Sequence, residues 1–478
     1  MNRSLLYLSI LLAVVLTSRE AYSQSQFSVE KMQFCQPDYD ELSPTYYKDG
    51  LVFCANRKND FFVSYSDSSG DKLFDLYYTK LISGSKKWEG ISPLSNGLNS
   101  LVNEGSACFF HESNNVAYTR NIYTSTKFGN YLKSGNYLGI FFAEIYNDKW
   151  TNIQPFEYNS TSFNVMHPSL SQDGKTMYFS SDMPGGFGGF DIYVTYLNNG
   201  HWTKPKNLGG NINSDQNEAF PFIHKSGRLY FSSKGWRSKG GFDLYYSQEL
   251  ENNWIRPQSM KEPFNTSYDD FGLIVDESLQ SGYFSSNRSK SDDIWGFKST
   301  ITEFVDCKTQ QKNNFCYVFF ENGTSEVDVK GTMRYEWDLG DGTKIRALQA
   351  EHCFAHTGKY LIQLNVIDSL TGELLVNQAQ YELDVQEIEQ PFITLPEAAF
   401  EGDTIKLDAK KTNLNNTKVS KYYWDFDDGV KGIGEVVSHT YYQEGLYDVK
   451  LQVESTVNRS GVSKKYCVYK SIAIKKKQ

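Results

Sequence analysis

Residues Met177–Asp182 read MYFSSD, Gly188–Val194 read GGFDIYV, and Trp202 follows. The same phrase returns as Leu229–Ser233 (LYFSS), Gly240–Tyr245 (GGFDLY) and Trp254. Each phrase alternates strand-forming aromatic and branched residues with Gly, Ser and Asp turn residues, and a repeat of about 50 residues of this kind signals a radial array of small sheets. Aligned on tryptophan, the copies fall at Trp88, Trp150, Trp202 and Trp254, with spacings of 62, 52 and 52 residues. Upstream strands are read at Phe74–Tyr78, Gly139–Glu144, Asp191–Thr195 and Asp243–Ser247. These are preceded by Leu51–Ala55, Val116–Arg120, Thr176–Ser180 and Leu229–Ser233. A fifth copy has Gly282–Ser286 (GYFSS) and Asp293–Phe297 (DIWGF) but no tryptophan strand. Phe27–Phe34 (FSVEKMQF), ahead of the first copy, occupies the slot that the fifth copy lacks. Four short strands per repeat, with one exchanged between chain ends, predict a closed β-propeller of five blades; a degenerate sixth is the alternative count.

The phrase resembles the TolB-type propeller repeat, over about residues 27–303. Copies three and four carry it most fully. Copy two has Gly139 where the others have Asp75, Asp191, Asp243 and Asp293, and an insertion around Ser125–Asn136. An aspartate entering a strand after Gly-Gly-Phe is expected to bond turn backbone rather than a metal. The tryptophans are expected to pack blades.

From about Asp306 the motifs change. Tyr335–Gly342 reads YEWDLGDG and is followed by His352–Tyr360 (HCFAHTGKY); Tyr423–Gly429 reads YWDFDDG and is followed by His439–Tyr447 (HTYYQEGLY). Both resemble the PKD domain, an immunoglobulin-like β-sandwich, with Asp427 standing where that family usually has glycine. The expected class is therefore all-β: a signal segment at 1–23, a propeller at 24–305, and sandwiches at 306–388 and 389–478. Trp337 and Trp424 should anchor the sandwich cores, and Tyr447–Val453 has the period-two alternation of a half-buried strand. Asp338, Asp341, Asp425 and Asp428 are weak calcium candidates, because oxygens from several loops must converge to hold that ion.

Arg3, the apolar run Leu5–Thr17 and the small-x-small step Ala21-Tyr22-Ser23 read as an export signal, with the mature chain starting near Gln24. No later run is long enough to span a membrane. Seven cysteines occur, and Cys307, Cys316 and Cys353 lie close enough in sequence to suggest one disulfide among them in an oxidising compartment. No Cys/His spacing suits zinc. A net charge of −9 without basic blocks argues against nucleic acid as a partner.

No nucleophile elbow, P-loop, HExxH or dinucleotide fingerprint is present. Ser171–Thr176 (SQDGKT) is like the Asp-box of sialidase propellers, but it occurs convincingly once, and no arginine cluster accompanies it. The expectation is a protein without catalysis and without a cofactor. One recurring feature points to binding. At the entry to each blade's first strand stand Glu41, Glu104, Val165, Glu218 and Asp270, with His167 close to the odd one. Glu41, Glu104, His167, Glu218 and Asp270 are thus candidates for a ring at the channel mouth, attracting a cation or a basic chain end. The competing expectation, which we favour, is that each carboxylate caps the turn into its own strand.

Together, export signal, propeller and PKD motifs resemble cell-envelope proteins of the Bacteroidota, including those beside the type IX secretion and gliding machinery. Relatives of that kind often add an OmpA-family domain, which is not found here, and no type IX sorting domain is evident. The resemblance implies a non-catalytic scaffold or accessory subunit of an outer-membrane complex, working in the periplasm with outer-membrane or periplasmic proteins. The alternative is a surface glycan-binding or adhesin-type protein, and a propeller hydrolase is a third reading.

Overall fold

The computed structural model describes residues 26–57, 73–82, 87–94, 103–111, 113–122, 137–147, 149–250, 253–301, 304, 307–312, 315–320, 333–368, 374–415, 417–456 and 463–477. The export segment and the insertion of the second copy lie outside them. The described residues are strands and turns, with no helix. No helix is long and apolar enough to cross a membrane.

Between residues 27 and 299 the described strands form five sheets, each with a backbone of four strands paired in order. The innermost strands are Glu41–Tyr47, Glu104–Phe110, Val165–Leu170, Glu218–Ile223 and Asp270–Val275. Each lies beside the next, and the fifth returns to the first, so the array is a ring. Phe27–Lys31 pairs antiparallel with Asp293–Ser299, Val29 opposite Phe297, and so supplies the outer strand of the fifth blade. Strand exchange therefore joins the two ends of the propeller, as Phe27–Phe34 predicted.

Blade faces are apolar on both sides, so the core is divided into five layers between neighbouring blades. Phe53, Tyr118, Phe179, Phe231 and Phe284 from the second strands are buried in these layers. Three of the repeat tryptophans reach across a layer to the preceding blade. Trp202 stacks on Phe142 with centroids 5.6 Å apart, Trp254 meets Tyr178 edge-on at 6.1 Å, and Trp88 meets Tyr283 at 5.9 Å. Their role is packing between blades.

Two sandwiches follow. In the first, Met333–Asp338, Lys344–Ile345, Gly358–Asp368 and Leu374–Val385 form one sheet, and Cys316–Phe320 with Gln349–Cys353 form the other. In the second, Ala398–Phe400, Lys465–Lys475, Gly445–Ser455, Val419–Asp425 and Lys431–Ile433 face Thr404–Asp408 and Val436–Thr440. Trp337 and Trp424 are buried in the two cores. The turn after each tryptophan is closed by the same pair: Asp341 Oδ2 meets His352 Nε2 at 2.6 Å, and Asp428 Oδ2 meets His439 Nε2 at 2.8 Å.

The link between propeller and sandwiches is tied to the second sandwich rather than the first. Cys307 is disulfide-bonded to Cys467, Gln310 bridges Tyr469, and Gln311 exchanges hydrogen bonds with the backbone of Ile393. Cys316 pairs with Cys353 inside the first sandwich. Of the three cysteines grouped by sequence, two thus pair with each other, and Cys307 finds a partner 160 residues away.

Candidate functional site

The geometry of the channel begins with a bulge. In each innermost strand the pairing register shifts after its second residue. Ser43, His167, Phe220 and Gly272, the third residues of four of these strands, have left-handed φ of 56°, 58°, 51° and 62°. Such a bulge turns a side chain that would otherwise follow strand alternation. For bulky Phe220 and His167 the conformation is strained by about 1–2 kcal/mol. The third residues line a small central cavity of about 180 Å³ together with Pro44, Pro168 and Pro221.

The bulge also frees a backbone N–H, and the repeat phrase supplies its acceptor. The first serine of YFSS, on the second strand, faces the bulge of the next blade. Ser285 Oγ accepts from Ser43 N at 2.9 Å, Ser232 Oγ from Gly272 N at 3.2 Å, and Thr119 Oγ1 from His167 N at 3.0 Å. Cys54 does the same for Ser106 N. The fifth position departs. Phe220 N turns to His167 Nδ1 at 3.4 Å, and Ser180 Oγ is buried without a partner. His167 stacks on Phe220 with centroids 3.8 Å apart. Burial pushes the imidazole down to about 3, so it is neutral, with Nδ1 accepting and Nε2 carrying the proton. An imidazole this reluctant to take a proton is a poor general base near pH 7. Ser43 and Ser106 hydroxyls, 2.7 Å apart, complete the polar part of the wall.

The acidic positions are not on this wall. Glu41, Glu104, Glu218 and Asp270 are at most 2 % exposed. Glu218 accepts from Ser214 N, Ser214 Oγ and Ser233 Oγ at 2.6–2.7 Å. Asp270 takes Thr266 N at 2.7 Å and Arg288 Nη2 at 2.5 Å, while Glu41 pairs with Arg57 at 2.6 Å. Glu41, Glu218 and Asp270 thus cap and staple the loop entering their own strand. Only His167 of the five candidates reaches the channel, because it stands at the bulge, two residues past the acidic position. The open ring of carboxylates is therefore not formed.

Two further repeat positions escaped the sequence reading. Asn159, Asn213 and Asn265 each clamp one residue of the third strand through both its N–H and C=O: Ile140, Ile192 and Leu244 respectively. Asn103, Asn164, Asn217 and Asp269, just before the acidic position, accept the N–H at the start of the preceding blade's third strand. The available signal was an Asn followed by Ser or Thr in every one of the three clamps. The aspartates after Gly-Gly-Phe act as expected. Asp191 takes the N–H groups of Phe187 and Gly188, and Asp243 those of Lys239 and Gly240.

Among the described residues one cluster has metal-ligand chemistry: Cys35, Glu41 and Asp293, with donor atoms within 4.8 Å of one another. Arg57 already balances Glu41, and Lys31 Nζ lies 2.7 Å from Asp293. Burial pushes the Cys35 thiol up to about 12, so it stays protonated. Two cations and a neutral thiol leave no net negative charge for a divalent ion. The calcium candidates are likewise engaged. Asp338 pairs with Lys344 at 3.0 Å, Asp341 and Asp428 hold their histidines, and Asp425 Oδ1 takes Asp427 N at 3.1 Å.

This architecture defines a β-propeller protein with two C-terminal immunoglobulin-like sandwiches. The sandwiches are PKD domains: the PKD domain family model matches residues 304–373 and 389–468. Among curated proteins, collagenase ColA of Clostridium perfringens is 32 % identical over 113 residues, 22 % of this chain and 10 % of that enzyme. The chain thus spans about a tenth of that relative's length. Among solved structures, a TolB-type protein from Agrobacterium tumefaciens is similar at 10 % identity and TM-score 0.34, covering 75 % of this chain and 88 % of that one. A protein of unknown function from Dyadobacter fermentans covers 57 % of this chain and 99 % of its own, at 10 % identity and TM-score 0.34. The exo-β-1,3-galactanase 1,3Gal43A from Clostridium thermocellum covers 94 % and 100 %, at 12 % identity and TM-score 0.35.

Proposed function

We propose that the protein is a non-catalytic interaction scaffold of the bacterial cell envelope, an accessory subunit of an outer-membrane complex of the type IX secretion class, held at the periplasmic face of that membrane. One observation carries this reading. The side chains that sequence marks for chemistry are consumed in holding blades and turns, and the one channel-facing histidine is held neutral by burial. Surfaces remain as the functional part. Phe320, Leu348 and Tyr381 of the first sandwich are each more than half exposed and leave apolar side chains open to a partner. The test is affinity isolation of the tagged protein from native envelopes after chemical cross-linking. Stoichiometric recovery of outer-membrane or periplasmic proteins supports the scaffold. Protease-accessible display on intact cells with glycan-array binding favours the adhesin instead, and turnover of a glycoside or peptide panel refutes the non-catalytic reading.

A further inference from the structure

A cavity larger than the one in the channel lies where the second sandwich meets the fourth and fifth blades. Gln26 Nε2 donates to Lys431 O at 2.6 Å, and Gln280 Nε2 to Gly429 O at 3.3 Å, so the two domains touch on either side of a cleft. The cleft encloses about 890 Å³, within the range of small-molecule sites. Its floor is aromatic, with Phe27, Tyr230, Tyr246 and Phe264 among the lining residues.

The charge of the lining runs against that of the protein. Arg228, Lys261 and Lys431 all line the cleft, and none forms an ion pair with a carboxylate among the described residues. Glu262, which also lines it, is paired with Lys239. Arg288 is spent on Asp270 and the carbonyls of Pro263 and Phe264. Arg228 is the exceptional group. Its guanidinium is hydrogen-bonded to the Tyr230 side chain and lies over the Tyr246 ring, 5.0 Å from the centroid, while its Nε–H is buried with no acceptor. Asp428 acts on it only at longer range, because that carboxylate holds His439 Nε2 at 2.8 Å and Val430 N at 3.0 Å. A mostly enclosed guanidinium with no carboxylate in hydrogen-bond reach is a ready receiver for an anion that enters the cleft. A planar guanidinium can receive a carboxylate through two parallel N–H bonds, and the aromatic lining offers a ring beside it a surface to pack on.

We propose that this interdomain cleft binds a small ring-bearing carboxylate, with Arg228 receiving the carboxylate and Tyr230 and Tyr246 packing against the ring. Two sources supply that chemistry, a uronic-acid sugar and an aromatic acid. The ligand touches both domains, so binding also fixes the second sandwich on the propeller.

The experiment is isothermal titration of the purified chain with digalacturonate and with phenylacetate, each beside its uncharged counterpart, the methyl ester and phenylacetamide, and beside inorganic phosphate. The expected result is that at least one acid binds and its uncharged counterpart binds at least tenfold more weakly. The Arg228→Gln variant should lose at least tenfold in affinity, with unchanged circular dichroism and thermal unfolding showing that it folds. The acid that binds identifies the source. Failure of both acids at millimolar concentration overturns the proposal. So does equal binding by Arg228→Gln, or phosphate binding as tightly as either acid. A Lys261→Gln variant, at an exposed position, is the second probe should Arg228→Gln not fold; the acid should then bind several-fold more weakly, and unchanged affinity would overturn the proposal.

Discussion

The inter-blade staple offers a comparison that the protein itself controls. Ser285 and Ser180 occupy the same repeat position on the second strand of their blades, and both are fully buried. They differ in one respect. Ser285 Oγ accepts the Ser43 N–H at 2.9 Å across the seam where the ring closes, and Ser180 Oγ has no partner. Serine to alanine removes the same atom at both sites. At Ser285 it leaves the Ser43 N–H buried and unpaired, at a cost of about 1–3 kcal/mol. At Ser180 it removes a hydroxyl that was desolvated without return, so the change should be within about 0.5 kcal/mol of neutral, or slightly stabilising. Urea unfolding followed by tryptophan fluorescence reads both. The Ser285→Ala midpoint should fall while the slope stays constant, and the Ser180→Ala midpoint should stay. Equal losses in the two variants would show that the hydrogen bond is irrelevant and that packing at the position sets the cost. The staple account of the YFSS serine would then be refuted.

Other outcomes follow from the same geometry. Asn265→Ala removes both bonds to Leu244, 2.8 and 2.9 Å long, and should cost about 2–4 kcal/mol in urea unfolding; a loss below about 1 kcal/mol would mean that water replaces the amide. Burial pushes Glu41 up to about 7 from an ordinary 4.5 in spite of Arg57, and pushes Asp292 up to about 6. Both are raised folded-state values, so the stability they contribute is complete below the unfolded pKa and is lost as pH rises through the folded one. Glu41 alone corresponds to about 3 kcal/mol, lost between roughly pH 4.5 and 7, and Glu41→Gln should flatten that part of a stability–pH profile. Closing loops of 160 and 37 residues, the Cys307–Cys467 and Cys316–Cys353 bonds should contribute about 5 and about 4 kcal/mol in the chain-entropy account. Replacing Cys307 by Ser should also make the link before the first sandwich sensitive to proteolysis, whereas Cys316→Ser should not; an unchanged digestion pattern in Cys307→Ser would argue against the tie.

The strands, their order and the exchanged Phe27–Lys31 strand were legible because a repeat carries its own alignment. Once five YFSS-like segments are superposed, the missing tryptophan strand shows as a gap. The PKD sandwiches were legible for a similar reason, since Trp, Asp-Gly and His-x-Tyr recur at matching offsets. The acidic position was equally visible, but alignment says only that a residue type recurs, not which way it points. A one-residue bulge decided that, sending His167 to the channel and Glu218 into the loop of its own blade.

Composition and repeat thus determined an all-β ring with two sandwiches, because periodic patterns of apolar and turn residues specify strands locally. Tertiary structure alone decided the rest. It joined Cys307 to Cys467 across 160 residues, gave Ser285 and Ser232 an acceptor role toward the neighbouring blade but left Ser180 without one, and closed a cleft around Arg228 from two domains. Those relations join residues far apart in the chain, and no local pattern encodes which side chains meet across blades and domains.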